Sequence, residues 1–443
     1  MDLRPFRTLR YDPTRVRLAD VVAPPYDVID DEQRDVLYAR SPHNVVRLIL
    51  NREADRYAAA ARCLHDWIST GRLRQDTDAS LWLYVQNFTH GDRHYERTGI
   101  IGTVRLEPFS SGRIRPHERT LSGPKQDRLR LLEACRANLS PIFGLYASRL
   151  EPVEHTCRAA TAGAPHVDLS DEFGVRHRLW PLAERAQVNT ITAALAAETI
   201  FIADGHHRYE TALEYRDQLQ ARGALTPDDP ANFIMIYLCS MADPGLLVLP
   251  THRLVRSLPR FSDTDFSAAL TRSFRVRNSP NSATGRAQLT AALTARDELP
   301  QLGVIIRSAA SVQLISPLSN AVIDDAAPEL PAVVRRLDVS VLDRLILREI
   351  LHLDADTAAR AGQLCYSHNT EQALASVDSG DTQVVFLLGS PDLGQVQAVC
   401  LSGETMPQKS TYFHPKLLSG LVFHPLTTDL AALVPQATCA RTA

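Results

Sequence analysis

Between residues 199 and 220 the hydrophobic period of this chain changes within a few positions. Thr199-Ile200-Phe201-Ile202-Ala203 is a short apolar run of strand type, and Asp204-Gly205 is a turn. From His206 to about Gln220 the pattern is helical, ending near Gly223. A strand that feeds a helix through a glycine turn belongs to a layered α/β structure, with the helix start at the strand's carboxyl end. There the first N–H groups of the helix are unsatisfied and the positive end of its dipole is presented, so an anion is welcome. Gly205 lets the backbone approach closely, and Asp204 can cap the helix or bind a cation. His206, His207 and Arg208 crowd donors around the same point. A capped helix with histidines bonded to carbonyls would explain a lone histidine, but it explains four polar groups in succession poorly. Phosphate or nucleotide binding is the better reading.

The rest of the chain extends the mixed α/β pattern. Pro24-Pro25 forces an extended backbone, and Asp30 caps a helix predicted over 31–40. Further helices are predicted at 54–70, 126–137 and 187–197, with strands at 81–88 and 95–106 reading as a hairpin and another at 233–239. The stretch 150–185 reads as a mixed connector. From about 257 Ser, Arg and Ala dominate, with an irregular patch at 277–287, which puts a domain boundary near 255. The distal half, 256–443, alternates helices (263–272, 340–352, 370–377) with strands (303–307, 312–315, 384–388, 396–401). Its last segment, 406–416, carries a motif of its own and is expected to return to the site. No internal repeat occurs, so solenoids and propellers are excluded.

Composition narrows the function classes. At 443 residues two or three domains are expected, and 44% hydrophobic with 22% charged residues excludes wholesale disorder. A net charge of -3 offers no broad footprint for DNA or an anionic membrane. There is no apolar run of ~18 residues and no secretory start, so a soluble cytoplasmic protein is expected. Seven cysteines without C-x-x-C spacing argue against a disulfide framework or zinc cluster. Lysine occurs only at Lys125, Lys409 and Lys416 among 48 basic residues. Genomic base composition explains such a bias. Even so, where lysine persists, a compact ammonium is called for instead of a planar fork.

Two further clusters carry chemistry. Arg115-Pro116-His117-Glu118-Arg119-Thr120, with Lys125-Gln126-Asp127-Arg128 close behind, sets a base among cations, as phosphoryl transfer or acyl chemistry requires. A solvated charged loop is the plain alternative. His117-Glu118 lacks the second histidine of a zincin, because position 121 is Leu. Lys409-Ser410-Thr411 has the wrong glycine pattern for a Walker loop, yet an ammonium and two hydroxyls can hold a phosphate; a Pro-bounded turn explains it equally well. No G-x-S-x-G and no G-x-G-x-x-G occurs, which weakens hydrolase and Rossmann readings.

The order A-P-P-Y-D-V-I, H-E-R-T, I-A-D-G-H-H-R-Y-E-T-A-L, L-P-T-H-R and M-P-Q-K-S-T-Y-F-H-P-K-L resembles an uncharacterised bacterial and archaeal family. It is numbered one thousand and fifteen among the domains of unknown function. The D-G-H-H-R box also resembles the phosphate-binding box of the ParB/sulfiredoxin superfamily, which includes free-serine kinases. That resemblance implies a ParB/sulfiredoxin-like nucleotide-binding core within 1–255, with Gly205, His206, His207 and Arg208 on nucleotide phosphates. The sulfiredoxin cysteine is replaced by His206, and the basic DNA-binding surface of ParB is missing. The resemblance therefore implies a small-molecule kinase using ATP or ADP, with Mg²⁺ on Asp204. Glu118 or Asp27 would be the base, with His117 beside it. Arg119, Lys125, Arg128, Lys409, Ser410 and Thr411 would supply further phosphate contacts. Its partners would be a nucleotide and a small hydroxy compound, within a monomer or homodimer. The alternative is a regulatory protein that binds and hydrolyses NTP without a small-molecule acceptor.

Overall fold

A computed structural model describes residues 1–120, 122–258, 261–295 and 297–430; Cys439 lies outside them. The chain divides into two compact units, and the division is not a single cut. Unit 1 contains Met1–Pro116, Thr120–Leu246 and the chain from Pro415 onward, and unit 2 contains His117–Arg119 and Leu247–His414.

Unit 1 is built on a nine-stranded mixed sheet. Its strands are β1 (Leu3–Arg4), β2 (Leu81–His90), β3 (Arg93–Arg105), β4 (Ile114–Pro116), β5 (Ile142–Tyr146), β6 (Val167–Ser170), β7 (Arg176–Leu182), β8 (Ile200–Asp204) and β9 (Phe233–Ser240). The order is β4-β8-β5-β9-β3-β2-β7-β6, with β1 alongside β3. The β8/β4 and β9/β5 pairs are parallel, and the others are antiparallel. β2 and β3 form the predicted hairpin, with Tyr84 opposite Gly99. The helices include α1 (Asp31–Arg40), α2 (Arg56–Ser69), α3 (Ser122–Cys135) and α4 (His206–Ala221). Asp30 caps α1 as its sequence predicts, its carboxylate accepting from the Gln33 amide at 2.8 Å.

Two buried clusters hold this unit. One packs Leu83, Val85, Ile100 and Ile236 of the sheet with Tyr209, Ala212 and Tyr215 of α4. The other joins Leu64 and Trp67 of α2 to Tyr11, Val45, Leu131 and Phe423. At ~25 cal/mol per Å² of apolar surface, such burial is the main term opposing chain entropy.

Unit 2 carries a six-stranded, wholly antiparallel sheet in the order 274–280, 311–317, 302–306, 384–388, 252–255, 364–367. Leu254, Leu289, Val312, Ala373 and Val385 are part of its buried core.

The mixed α/β class expected from the sequence is borne out, and three local expectations are corrected. Residues 396–401 were expected as a strand and lie in a helix, Leu393–Leu401. Asp392 caps it, and Val396, Val399 and Cys400 bury one face at helical spacing. The patch at 277–287 is regular: strand Phe274–Pro280 and a helix from Ala283 capped by Ser282. The connector 150–185 contains helix Glu151–Thr161 and strands β6 and β7, Val167 and Leu169 pointing inward on alternate residues.

Candidate functional site

The junction of β8 and α4 concentrates charge. Ile200, Phe201 and Ile202 are buried in the sheet, and Asp204 is the strand's last residue. Gly205 follows at φ 90°, in the left-handed region. A Cβ there would stand 2.8 Å from Ile142 Cγ2 and 2.9 Å from Arg208 Nη2, so only glycine passes between them. Arg208, one turn into the helix, donates Nη2 to Asp204 Oδ2 at 2.8 Å and Nη1 to the Pro141 carbonyl at 2.6 Å. Lys416 donates Nζ to the other oxygen, Asp204 Oδ1. Burial alone would raise the Asp204 carboxyl, but Lys416, Arg208 and His206 together hold it well below the usual range. His206 is buried and His207 half-buried. The helix is pinned further along, where the Tyr209 hydroxyl donates to the Glu107 carbonyl at 2.6 Å and accepts from the Glu107 amide at 3.0 Å.

One cavity opens beside this junction, and a second shares part of its wall. One, about 60 Å³, is lined by Arg208, Thr211, Tyr26, Arg128, Asn138 and Ile234, among others. The other, about 300 Å³, shares Tyr26 and Arg128 and adds Asn51, Tyr57, Pro124 and Asp127. The guanidinium of Arg128 lies 3.9 Å from the centre of the Tyr26 ring and donates to the Ile49 carbonyl and to Asp127, both at 2.9 Å. Burial, with Asp27 adding to it, pushes the Tyr26 hydroxyl up to about 12, against the pull of Arg128 and Arg208. Asp27 is exposed on the same short turn, Tyr26–Val28. Lys125 donates to Glu210 of α4 at 2.8 Å, where the Thr120 hydroxyl also donates at 2.9 Å.

A second polar cluster lies wholly in unit 2. His117 Nε2 and the Thr411 hydroxyl share a hydrogen bond of 2.8 Å. Glu118 Oε1 accepts from the Lys409 amide at 3.0 Å, and Arg119 Nε donates to the Thr405 hydroxyl at 3.1 Å. Lys409 takes φ 57° there, and Ser410 donates its hydroxyl to the Pro407 carbonyl. Buried Arg253 supports the turn by donating to the Gln408 carbonyl at 3.2 Å. The two motifs that the sequence singled out separately thus bind one another across nearly 300 residues.

The lysine that reaches the helix start is Lys416, which sequence reasoning marked only by its rarity. Tyr26 went unassigned as a cavity wall, although it stands inside A-P-P-Y-D-V-I. Among the described residues no group of three or more His, Cys, Asp or Glu side chains is arranged to hold a metal ion. Both oxygens of Asp204 face cations, which does not fit a magnesium ion held by this carboxylate. Among the described residues no helix is long and apolar enough to cross a membrane.

A mixed α/β protein with a cation-rich helix start is the class these features define. The chain belongs to the family described as "Protein of unknown function (DUF1015)", whose pattern matches residues 3–340. No curated protein matches it. Among solved structures it is similar to a mutant free serine kinase in complex with ADP, at 11% identity and TM-score 0.36 over 70% of this chain and 86% of that one. It is also similar to a conserved hypothetical protein from Pyrococcus furiosus, at 13% identity and TM-score 0.34 over 71% and 91%. A third is SbnI with a C-terminal truncation from Staphylococcus aureus, at 12% identity and TM-score 0.34 over 76% and 90%.

Proposed function

We propose that this protein binds an adenine nucleotide, ATP or ADP, at the start of α4 and transfers a phosphoryl group to the hydroxyl of a small, serine-like compound. The observation that carries this reading is the charge count at the end of β8. Two cations, Arg208 and Lys416, both meet the Asp204 carboxylate at a point where the helix dipole is also positive. Phosphoryl transfer asks a protein mainly for positioning and for neutralisation of charge on the transferred group. Gly205 and the first amides of α4, with His206, His207 and Arg208, supply both. The cavities walled by Tyr26 and Arg128 give room for the rest of the ligand.

Asp204 is unsuited to be the base, since its neighbours keep it ionised and reluctant to take a proton. Asp27, exposed beside the Tyr26 wall, takes that role. It accepts the proton of the acceptor hydroxyl while that oxygen bonds to phosphorus and the bond from phosphorus to the departing nucleotide oxygen breaks. No step runs through a metal held by Asp204.

Calorimetric titration of ADP and ATP into the wild type and Arg208→Ala tests the binding. Mass spectrometry of a panel of hydroxy amino acids incubated with protein and ATP or ADP tests the transfer. Tight binding by the wild type, lost in the variant, with a phosphorylated product is the expected result. Binding without any product would retire the transfer and leave a nucleotide-responsive regulator. Equal titrations of the two proteins would retire the site.

A further inference from the structure

Among the polar side chains sunk in the interior of unit 1 with no exposure at all are Tyr84, Gln86, Arg97 and His177. Burying a guanidinium and an imidazole in a sheet costs free energy that apolar residues would not, so what they hold is informative. Arg97 donates Nη2 to the Pro415 carbonyl at 2.5 Å and to Gln86 Oε1, and its guanidinium lies 4.8 Å from the Phe143 ring centre. Gln86 in turn donates Nε2 to the Lys416 carbonyl at 3.1 Å. The Tyr84 hydroxyl is set near the Leu418 amide, which favours its ionised form, and it gives its proton to His177 Nδ1 at 2.7 Å. His177 then donates Nε2–H to Asp171 at 3.1 Å, and Asp171 is fixed by the Phe173 and Val175 amides, both at 2.9 Å. The Arg97 and Gln86 links both end on main-chain carbonyls, those of Pro415 and Lys416. The one long charged side chain in that stretch is Lys416, and its ammonium meets Asp204.

We propose that Lys416 is a phosphate-binding residue of the α4 site, and that Arg97, Gln86 and Tyr84 are positioning residues that hold its backbone in register. The proposal rests on the nucleotide reading above and names a cation that the D-G-H-H-R box does not contain. An ammonium carries three donors and can serve a carboxylate and a phosphate oxygen together. Asp204 then acts as its holder, fixing the ammonium beside Arg208 before any ligand arrives. The chain's other basic residues are nearly all arginine, and a compact cation suits this crowded point beside Arg208.

The three lysines make the test direct, because acetylation of the full-length wild type can be read at each by peptide mass spectrometry. With an amine-directed acetylating reagent, ADP should slow the modification of Lys416 by ~10-fold, the change that one pKa unit makes in reactive free amine. Tyr84→Phe keeps the ring but loses the hydroxyl set near Leu418; without ADP it should speed acetylation of Lys416 several-fold and leave Lys125 unchanged. Lys416→Ala should weaken ADP binding by ~10-fold or more, with Lys416→Arg recovering only part. Unchanged ADP affinity in Lys416→Ala, in a wild type that does bind ADP, overturns the phosphate role alone. Unchanged Lys416 reactivity in Tyr84→Phe overturns the positioning role. A wild type that binds no ADP overturns the nucleotide reading and the phosphate role with it, while the comparison of Tyr84→Phe with the wild type still decides the positioning.

Discussion

Lys416 and Asp204 are 212 residues apart in sequence and form an ion pair at the carboxyl end of β8. The pair is largely shielded, at 14% and 15% side-chain exposure, so breaking it strands a charge in a poorly hydrated place. Asp204→Asn should therefore destabilise unit 1 by ~3 kcal/mol or more, as loss of one partner of a buried pair does elsewhere. Chemical denaturation at pH 7 measures it, and a variant as stable as the wild type would show that the cations find other partners.

Arg208→Ala removes a guanidinium from Asp204 and from the Pro141 carbonyl as well as from any phosphate. In the proposed transfer it should lower turnover by ~10²–10³-fold at saturating nucleotide, the usual loss for a preorganised electrostatic donor. A change in affinity with turnover intact would make Arg208 a binding residue only.

Gly205→Ala meets two obstacles, a backbone at φ 90° and contacts of 2.8 and 2.9 Å for the added methyl. A cost of ~1–3 kcal/mol is expected from the backbone conformation alone, and the steric shift also displaces Arg208. Thermal unfolding and ADP titration should both deteriorate. A variant impaired in neither would mean that the turn relaxes freely.

Asp27→Asn should leave ADP affinity within ~2-fold of the wild type while abolishing product, since it removes a proton acceptor and no phosphate contact. Glu118→Gln is the comparison, because Glu118 already accepts the Lys409 amide at 3.0 Å and the amide oxygen of glutamine can still do so. If Asp27→Asn turns over normally and Glu118→Gln does not, the base is Glu118.

Stability should also depend on mild acid. Burial holds His252 down to about 4, with Arg253 adding to the effect. Its Nδ1 accepts from the Leu388 amide at 3.2 Å and its Nε2 donates to the Thr370 hydroxyl at 2.9 Å, so the neutral ring is the one that fits. Between pH 6.5 and about 4 the unfolded chain takes up a proton at this position that the folded chain refuses. Stability therefore falls as pH drops through that window, by up to ~3 kcal/mol, and is level above it. His252→Asn cannot titrate and keeps an acceptor for Leu388. Its denaturation midpoint should fall less than the wild type's between pH 7 and 4.5, and parallel falls would exclude His252 as the source.

Much of unit 1 was legible in the sequence because its signals are local. The strand–turn–helix at 199–221 follows from a change of period, and Asp30 announces the helix that it caps. Residues 396–401 misled because Val and Cys suit either element, and the deciding cap at Asp392 precedes the apolar run. The clamp on residues 415–418 was out of reach for another reason. Gln86 and Arg97 face each other on paired strands with runs of consecutive buried residues, where a polar residue shows no local cause. Their partners are main-chain carbonyls more than 300 residues away, which no spacing rule can find.

Residues 415–430 complete unit 1. Ser419 and Ala23 exchange main-chain hydrogen bonds at 2.8 and 3.2 Å, His424–Pro425 pairs with Ala137–Asn138, and Phe423 is buried beside Tyr11. During synthesis these residues emerge only after the whole of 247–414, a delay of about 10–30 s at common translation rates. Through that interval the nascent sheet lacks the Pro415 and Lys416 carbonyls to which Arg97 and Gln86 donate. The ammonium at Asp204 is delivered only after the inserted unit. A chain released anywhere within the inserted unit thus carries the helix start without its lysine.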